Sequence, residues 1–338
     1  MEFLTFPRGS LDWNPDAVAR WTALAAASGK PDPFSCGPAW QLSFHEAFHP
    51  DRRLLLRVES DASLAFSELV LPSGAIIFTP PESHWISGCP LLGREPERLL
   101  ERALPFLADA CRGRLPCFLI GGLADDDDLP LRLIRRFGNR FRFLEQEPSR
   151  QRGASLDGGF DGYLSRRSGN FRAKMKKAKK NADALGLRFE AFAPDDPSLA
   201  DALYARMLAV EEKSWKGRDH CGMAESPSRE FYGIMLRRLS RRREGRVIFA
   251  RLDGRDVGFI FGGLCGARYR GQQFSYDDAF KRLSVGDLLQ LEQIRRLCDE
   301  GVLRYDMGMS DHPSMAYKAR WAESELSLRA WLLIPRIR

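Results

Sequence analysis

This sequence lacks the cysteine spacing and the serine motif that mark zinc-finger, disulfide-rich and serine-hydrolase proteins. Its seven cysteines are scattered, odd in number and form no Cys-x-x-Cys pair, which argues against a disulfide framework or a zinc site. There is no Gly-x-Ser-x-Gly elbow, and His220 and His312 stand alone in loops. Serine-hydrolase chemistry is therefore unsupported.

Signals for membrane insertion and export are also missing. No apolar run approaches the roughly 18 residues that a membrane-spanning helix needs. The first seven residues lack a basic segment followed by an apolar one, so they do not read as a signal peptide. We predict a cytoplasmic protein with reduced cysteines.

Length and composition predict two globular domains. A chain of 338 residues exceeds what one compact core usually covers, and 44% hydrophobic residues with 11% aromatics are typical of a folded protein. Helix and strand patterns alternate in both halves, which favours a mixed α/β fold. The polar, Ser-, Gly- and Arg-containing segment 146–159 reads as a linker, so we predict an N-terminal domain over 1–155 and a C-terminal domain over 156–338.

The positive charge lies in the second half. Residues 1–155 carry 18 Lys and Arg against 20 Asp and Glu, whereas residues 156–338 carry 34 against 25. The second half therefore has a net charge of +9 and the first of −2. An anionic partner is expected on the second half, and a phosphorylated cofactor, an acidic carrier protein and tRNA all qualify.

The stretch 247–321 is the most informative part of the chain. Two strands joined by an Asp253-Gly254 turn are followed by a strand over 270–276, a loop that ends at Gly286, a helix over 287–300 and a short strand over 303–308. The loop opens the helix, and free amide N–H groups at a helix start can hold a phosphate.

Five motifs in the second half occur in one order, and together they carry a family resemblance. They are the basic run Phe171-Arg-Ala-Lys-Met-Lys-Lys-Ala-Lys-Lys180, Trp215 after a Glu-containing helix, Tyr276-Asp277-Asp278 before Ser284-Val285-Gly286, Gly301 to Gly308, and Tyr317-Lys318-x-x-Trp321. Residues 160–335 thereby resemble the GNAT-like acyltransferase domain of cellulose-biosynthesis and BioF2-type acetyltransferases, which is related to the FemAB aminoacyl transferases of peptidoglycan. The resemblance implies two tandem GNAT-like domains, with the acyl donor bound by the second.

The loop before the long helix is the candidate cofactor site. Amides at the helix start would hold phosphates, and basic side chains would add charge. The residues concerned are Lys281, Arg282, Ser284, Val285 and Gly286. The alternative is an ordinary capped helix start, with Asp287 as the partner of the helix dipole.

The segment 166–180 carries eight Lys and Arg and no acidic residue. Arg172 and Lys176 lie on one face, where they could bind a carrier, a nucleotide or tRNA. The alternative is a solvated surface, because like charges one turn apart are only mildly destabilising.

Three residues are candidates for catalysis. In FemAB-like proteins a lysine in the matching Tyr-Lys position lies beside the reacting carbonyl, so the resemblance implies that Lys318 stabilises an oxyanion. Asp306 and Asp278 each follow or end a strand, and either could act as general base if burial raised its pKa. The alternatives are a solvated lysine and structural carboxylates.

Aromatic residues complete the candidate site. Trp215, Tyr276 and Tyr317 are candidates for substrate binding, although Trp215 could simply be a packing residue. We predict an acyltransferase that moves an acyl group from acyl-CoA or an acyl-carrier-protein thioester to an amine by direct attack, without a metal. Two alternatives stay open: an aminoacyl-tRNA-dependent transferase, and a non-catalytic binding module with the GNAT shape.

Overall fold

The chain divides into two compact units. The computed structural model describes residues 3–6, 13–311 and 313–336, so His312 lies outside the described residues. One unit comprises Met1–Gln151 and Leu326–Arg338, and the other comprises Arg152–Glu325. The chain passes from the first unit to the second within one strand and returns within another.

The first unit is a mixed sheet with helices packed on it. Its elements in chain order are α1 (Pro15–Ala26), α2 (Pro38–Phe48), β1 (Leu54–Val58), β2 (Ala62–Val70), β3 (Ile76–Thr79), β4 (Leu91–Gly93), α3 (Pro96–Ala110), β5 (Cys117–Leu123), α4 (Leu129–Phe137) and β6 (Phe141–Glu145). The strand β7 (Ser149–Ser155) then leads into the second unit.

The second unit continues the alternation of helices and strands. Its elements are α5 (Gly159–Ser165), α6 (Gly169–Ala184), β8 (Arg188–Phe192), α7 (Pro197–Glu211), α8 (Trp215–Arg218), α9 (Ser228–Ser240), β9 (Gly245–Leu252), β10 (Arg255–Cys265), β11 (Arg268–Tyr276), a 3₁₀ helix (Asp278–Leu283), α10 (Val285–Asp299), β12 (Arg304–Met309), a second 3₁₀ helix (Pro313–Arg320) and β13 (Ser324–Pro335). The predicted mixed α/β fold is confirmed.

The last strand is grouped with the first unit because of its pairing. In β13, Arg329 to Leu333 pair antiparallel with β5, and the same strand pairs antiparallel with β6. The remaining strands of this sheet follow in the order β5, β3, β2 and β1, and β4 pairs with β2. The core of the unit forms where the apolar faces of α1, α3 and α4 cover this sheet.

The sheet of the second unit brings two parallel strands together. Its strand order is β12, β11, β10, β9 and β8, and β7 lies next to β12. Only the β11–β12 pair among these five strands is parallel, and α10 is the connection between them, as a parallel pair requires. Apolar residues of α10, among them Val285, Leu288 and Leu289, pack on β9 and β10. This packing fixes where α10 begins.

Local sequence explains the clearest elements. The turn between β9 and β10 has Asp253 and Gly254 at φ 50° and 75°, the left-handed conformations that a two-residue hairpin turn needs. Helix α7 begins after Asp196, whose side chain accepts hydrogen bonds from the N–H groups of Ser198 and Leu199.

The linker predicted over 146–159 is wrong for its central part. Ser149–Ser155 form strand β7, in which Gln151, Gly153 and Ala154 are buried. This strand has few apolar residues, so it lacks the alternation that identifies a strand in sequence.

Candidate active site

The candidate site lies where β11 and β12 end. The two strands pair in parallel over Arg268–Arg270 and Arg304–Asp306, and both continue beyond this pairing, to Tyr276 and Met309. The carboxyl ends of parallel strands meet at one edge of a sheet, and ligands of α/β proteins commonly bind there. The second 3₁₀ helix brings Lys318 to the end of β12.

Lys318 is a buried lysine. Its side chain is 9% exposed, and Nζ donates a hydrogen bond to Met309 O at 2.6 Å. Burial, and to a smaller extent the positive charges of Arg270, Lys216 and Arg152, lower the pKa of Lys318 from 10.5 to about 7. An ammonium has three N–H groups. Met309 O accepts one, so an oxygen that arrives with a substrate can accept another.

A second buried cation lies beside the same strand end. Arg270 on β11 is 7% exposed and donates from Nη1 to Gly271 O at 2.8 Å. Its guanidinium lies against Gly308, where a Cβ would come within 2.2 Å of Nη1. Gly308 also has φ 77°, a conformation that favours glycine. The glycine therefore lets the guanidinium approach the backbone next to Met309.

Lys216 supplies a third cation. Its Nζ donates to Gln273 Oε1 at 2.8 Å and to Phe274 O at 2.9 Å, and it lies 5.7 Å from the centre of the Phe274 ring. Gln273 in turn donates to the hydroxyl of Tyr232 at 2.8 Å. Burial lowers the pKa of Lys216, and the neighbouring Glu211 raises it. The ammonium is thus fixed to the last residues of β11.

Aromatic rings separate these cations from the start of α10. The Tyr317 and Phe274 rings meet edge to face with centres 5.5 Å apart. The Tyr276 ring lies over Gly286, where an added Cβ would come within 3.0 Å of Tyr276 Cε1 and 3.1 Å of Phe274 Cε2. Burial raises the pKa of Tyr317, which therefore keeps its proton at neutral pH. These residues form an apolar wall next to Lys318.

The predicted donor loop forms the first turn of α10. Ser284 adopts a left-handed conformation with φ 56° and precedes the helix, Val285 is fully buried, and Gly286 follows in the first turn. Asp287 in the same turn forms ion pairs with Arg320 and Lys174. This acid occupies the positive end of the helix dipole, as the alternative interpretation required, and two cations offset its charge.

The two basic residues of the loop are exposed on the 3₁₀ helix that precedes α10. Lys281 and Arg282 lie in its last turn, and their side chains extend into solvent. They are therefore accessible to an anionic donor that reaches the first turn of α10.

Asp278 and Trp215 lie near this loop. Asp278 forms an ion pair with Arg218, and its N–H donates to Lys213 O at 3.2 Å. Trp215 is 41% exposed, so its ring is available to a ligand. Trp215 is the first residue of α8, and Asp278 follows the end of β11. Both therefore lie on the side of the site from which the Lys216 side chain extends towards β11.

Asp306 is placed differently from the other predicted catalytic residues. It is 2% exposed, and Oδ1 accepts a hydrogen bond from Arg304 Nε at 2.6 Å. A Cβ at Gly153 would lie 3.0 Å from the same oxygen, so the carboxylate is enclosed between β12 and β7. This paired and enclosed position favours a structural role.

The two predicted residues of the basic helix have different surroundings. Arg172 donates from Nη1 to Arg167 O at 2.9 Å and to Ser165 O at 3.2 Å, so its guanidinium caps the end of α5. Lys176 is exposed on α6. In this helix Lys179 pairs with Asp183, whereas the exposed Lys176, Lys177 and Lys180 carry no ion pair among the described residues. These three lysines form the basic surface of α6.

The prediction from sequence missed Lys216, Arg270 and Glu211. Lys216 directly follows Trp215, which was predicted, and Glu211 lies four residues after Met207 on the buried face of α7. A glutamate on an apolar helix face is a signal that could have identified it. Arg270 has no such signal, because strand residues reveal their neighbours only when the sheet forms.

Residues 169–319 match a family model described as an acetyltransferase (GNAT) domain. All thirteen predicted site residues lie within the matched segment, as do Lys216, Arg270 and Glu211. The resemblance to GNAT acyltransferases is therefore confirmed for this segment, and the second unit carries a GNAT-type acyltransferase fold.

Solved structures share the fold over nearly the whole chain. FemX has a TM-score of 0.64 and 11% identity, with 97% of each chain covered. L-PGS from Bacillus licheniformis has a TM-score of 0.59 and 14% identity, covering 93% of this chain and 90% of its own. A conserved protein of unknown function from Bacteroides thetaiotaomicron VPI-5482 has a TM-score of 0.64 and 13% identity, covering 97% of this chain and 99% of its own.

These similarities establish the fold alone, because the identities are low. A search of curated proteins finds no match to this chain. Within the part of the chain that the structure describes, no helix has both the length and the apolar composition needed to cross a membrane.

Proposed function

We propose that this protein transfers an acyl group from an activated carrier to an amine acceptor. The observation that carries the proposal is the placement of Lys318, a buried ammonium beside two further cations at the carboxyl ends of two parallel strands. A developing negative charge on a carbonyl oxygen is the species that such a site stabilises. The GNAT-type fold of the same segment supports this reaction class.

The proposed reaction is a direct attack. The acceptor nitrogen forms a bond to the carbonyl carbon of the donor, and the carbonyl electron pair moves onto oxygen, where the Lys318 ammonium stabilises it. The oxyanion then collapses, and the bond from carbon to sulfur, or to oxygen in an ester donor, breaks. The proton lost by the amine balances the charge of the departing thiolate or alkoxide. No enzyme nucleophile takes part.

A thioester of coenzyme A or of an acyl-carrier protein is the proposed donor. The start of α10 and the exposed Lys281 and Arg282 support a site for its phosphate-containing arm. The wall formed by Phe274, Tyr276 and Tyr317 supports a path for an acyl chain, because it is apolar and adjoins Lys318.

A thermal-shift panel tests the donor class. A ligand that binds only the folded protein raises its melting temperature. We expect acetyl-CoA, long-chain acyl-CoA or acyl-carrier protein to raise it, and expect amide formation when the same donor is supplied with an amine. A panel in which no thioester stabilises the protein and none is consumed contradicts the proposed donor.

The basic surface of α6 supports a second candidate, an aminoacyl-tRNA donor. Lys176, Lys177 and Lys180 are exposed and carry no ion pair among the described residues, so a polyanion can neutralise them at low cost. Charged tRNA therefore belongs in the same panel. Stabilisation by charged tRNA, with none by thioesters, would favour this candidate.

We expect reversal of this basic surface to discriminate between macromolecular and small donors. The triple variant Lys176→Glu, Lys177→Glu and Lys180→Glu should weaken binding of tRNA or acyl-carrier protein and flatten its salt dependence, because fewer counterions are released. Binding of acyl-CoA should change much less. Affinity measured at several salt concentrations reports both effects.

A matched control removes the same charge elsewhere. Arg20, Arg98 and Arg135 are exposed on the first unit, and their reversal to Glu changes the net charge equally. If the control weakens macromolecular binding as much as the α6 variant, the effect belongs to net charge and not to this surface.

A further inference from the structure

Glu211 is a buried carboxylate in an unfavourable position. It is 0% exposed and ends α7, one turn after Met207 on the buried face of the helix. A negative charge at the carboxyl end of a helix opposes the helix dipole, and burial adds a desolvation cost. Such a residue requires a compensating interaction.

The hydrogen bonds of Glu211 satisfy only one of its oxygens. Oε1 accepts the N–H of Met223 at 2.9 Å, whereas Oε2 is buried and has no hydrogen-bond partner among the described residues. Buried polar atoms are nearly always paired, so each exception calls for an explanation. The hydrogen bond from Met223 anchors the loop and accounts for the position of Oε1. It does not explain why a negatively charged side chain is buried here.

Lys216 is the cation whose side chain passes Glu211. A Cβ on Gly222 would lie 2.2 Å from Glu211 Oε1, 3.0 Å from Glu211 Cδ and 3.1 Å from Lys216 Cβ. Gly222 therefore packs against both the carboxylate and the base of the lysine side chain, and only glycine leaves room for both. The charge of Glu211 is the largest influence that keeps the pKa of Lys216 from falling further on burial.

The other end of Lys216 reaches the candidate active site. Its ammonium donates to Gln273 Oε1 and Phe274 O, and its charge contributes to the lowered pKa of Lys318. Three charged residues thus lie one after another between the interior of the second unit and the end of β12: Glu211, Lys216 and Lys318.

We propose that Glu211 is a positioning residue, whose buried carboxylate beside the Lys216 side chain helps to hold this cation at the end of β11, near Lys318 and Arg270. This inference rests on the proposed acyl transfer, in which Lys216 and Lys318 would both face the developing oxyanion. Glu211 itself is enclosed and does not touch the substrate. Its effect on the reaction passes through Lys216.

The substitution Glu211→Gln separates charge from shape. The glutamine keeps an oxygen for the N–H of Met223 and fills the same volume, but it removes the negative charge. We expect the titration midpoint of Lys216 to move to lower pH, as measured by NMR of protein labelled at lysine Cε and assigned with Lys216→Arg. An unchanged midpoint overturns the proposal.

Kinetics test the same pair independently. Glu211→Gln should lower kcat about tenfold, the scale for losing a residue that orients a catalytic group, with little change in KM for the donor. In a Lys216→Met background the same substitution should have no further effect, because residues that act as a unit are not additive. Fully additive effects contradict the proposal.

Glu190→Gln is the matched control. Glu190 pairs with Arg206 and Arg251 elsewhere in the second unit, so its loss removes an equal charge and should change neither the Lys216 midpoint nor kcat. If Glu211→Gln fails to fold, adding Lys216→Met should restore folding, since removing both partners leaves no uncompensated buried charge. Failure of this double variant to fold overturns the pairing.

The NMR measurement needs no substrate. A wild-type protein that transfers no acyl group from any donor would contradict the proposed function, and the Lys216 midpoint would still decide whether Glu211 positions this lysine.

Discussion

Replacing Lys318 by methionine should lower kcat by about 10²–10³, the scale for removing one oxyanion stabiliser. Methionine keeps the aliphatic bulk in a buried site and deletes the ammonium that contacts Met309 O. The charge matters only when negative charge develops on the carbonyl oxygen, so KM for the donor should change less than kcat. Steady-state kinetics with the donor identified by the panel measures both.

Lys213→Met is the control for this substitution. Lys213 is exposed in the same unit, and only its backbone contacts the neighbouring Asp278. It should retain wild-type kcat. A Lys318→Met protein with wild-type kcat would show that the charge stabilises nothing in the transition state.

The same substitution should stabilise the folded protein below neutral pH. The folded-state pKa of Lys318, about 7, lies below the ordinary value of 10.5. Below pH 7 both the folded and the unfolded states hold the proton, and the folded state bears the full cost of a buried charge. Between pH 7 and 10.5 the unfolded state holds the extra proton, so the cost declines as pH rises.

The expected gain is large for one substitution. The difference between the ordinary pKa of 10.5 and the folded-state pKa of about 7 sets an upper limit of about 5 kcal/mol on the gain in the free energy of unfolding. We expect roughly half of this, because methionine also loses the hydrogen bond to Met309 O. Melting temperatures of wild type and Lys318→Met, compared at pH 6 and pH 9, should differ by several degrees at the lower pH and by less at the higher.

Two outcomes would contradict this expectation. Lys318→Met could be less stable than wild type at pH 6, or its gain could be independent of pH. Either result would mean that the lysine is not buried as a destabilising cation. A pH-dependent gain in the stability of Lys318→Met, together with its loss of kcat, would show that the wild-type protein is less stable because it buries a charge that the reaction uses.

The sequence was sufficient for the parts of the fold that depend on local patterns. The Asp253-Gly254 turn, the helix that begins near Gly286 and the strand that ends near Gly308 follow from turn residues and apolar periodicity. The nearness of Lys318 to the end of β12 also follows, since only a short segment separates them. These features are encoded within a few residues of where they occur.

Long-range pairing could not be predicted in the same way. Strand β13 pairs with β5, about two hundred residues earlier, and β7 is a polar strand recognisable only by its neighbours. Strand register depends on which faces are buried once the sheet has formed.

One buried charge of the candidate site shows the same limit. Arg270 meets Gly308 only because β11 and β12 lie side by side, so no strand pattern in the sequence identifies this contact. Glu211 and Lys216 differ, because they are close in the sequence and Glu211 lies on an apolar helix face that could have identified it.

The pH dependence of kcat/KM in wild type and Lys318→Arg tests the central claim most directly. The ratio kcat/KM reports the ionisation of groups on the free enzyme. An amine acceptor of low basicity is used, so that its own titration lies outside the measured pH range. Wild type should lose activity as pH rises through about 7, the pKa of Lys318, whereas the arginine variant should show no such decline because its guanidinium stays charged. Activity that instead rises through pH 7 in wild type, and no longer does so in Lys318→Arg, would make the neutral amine the active form and contradict stabilisation by a cation.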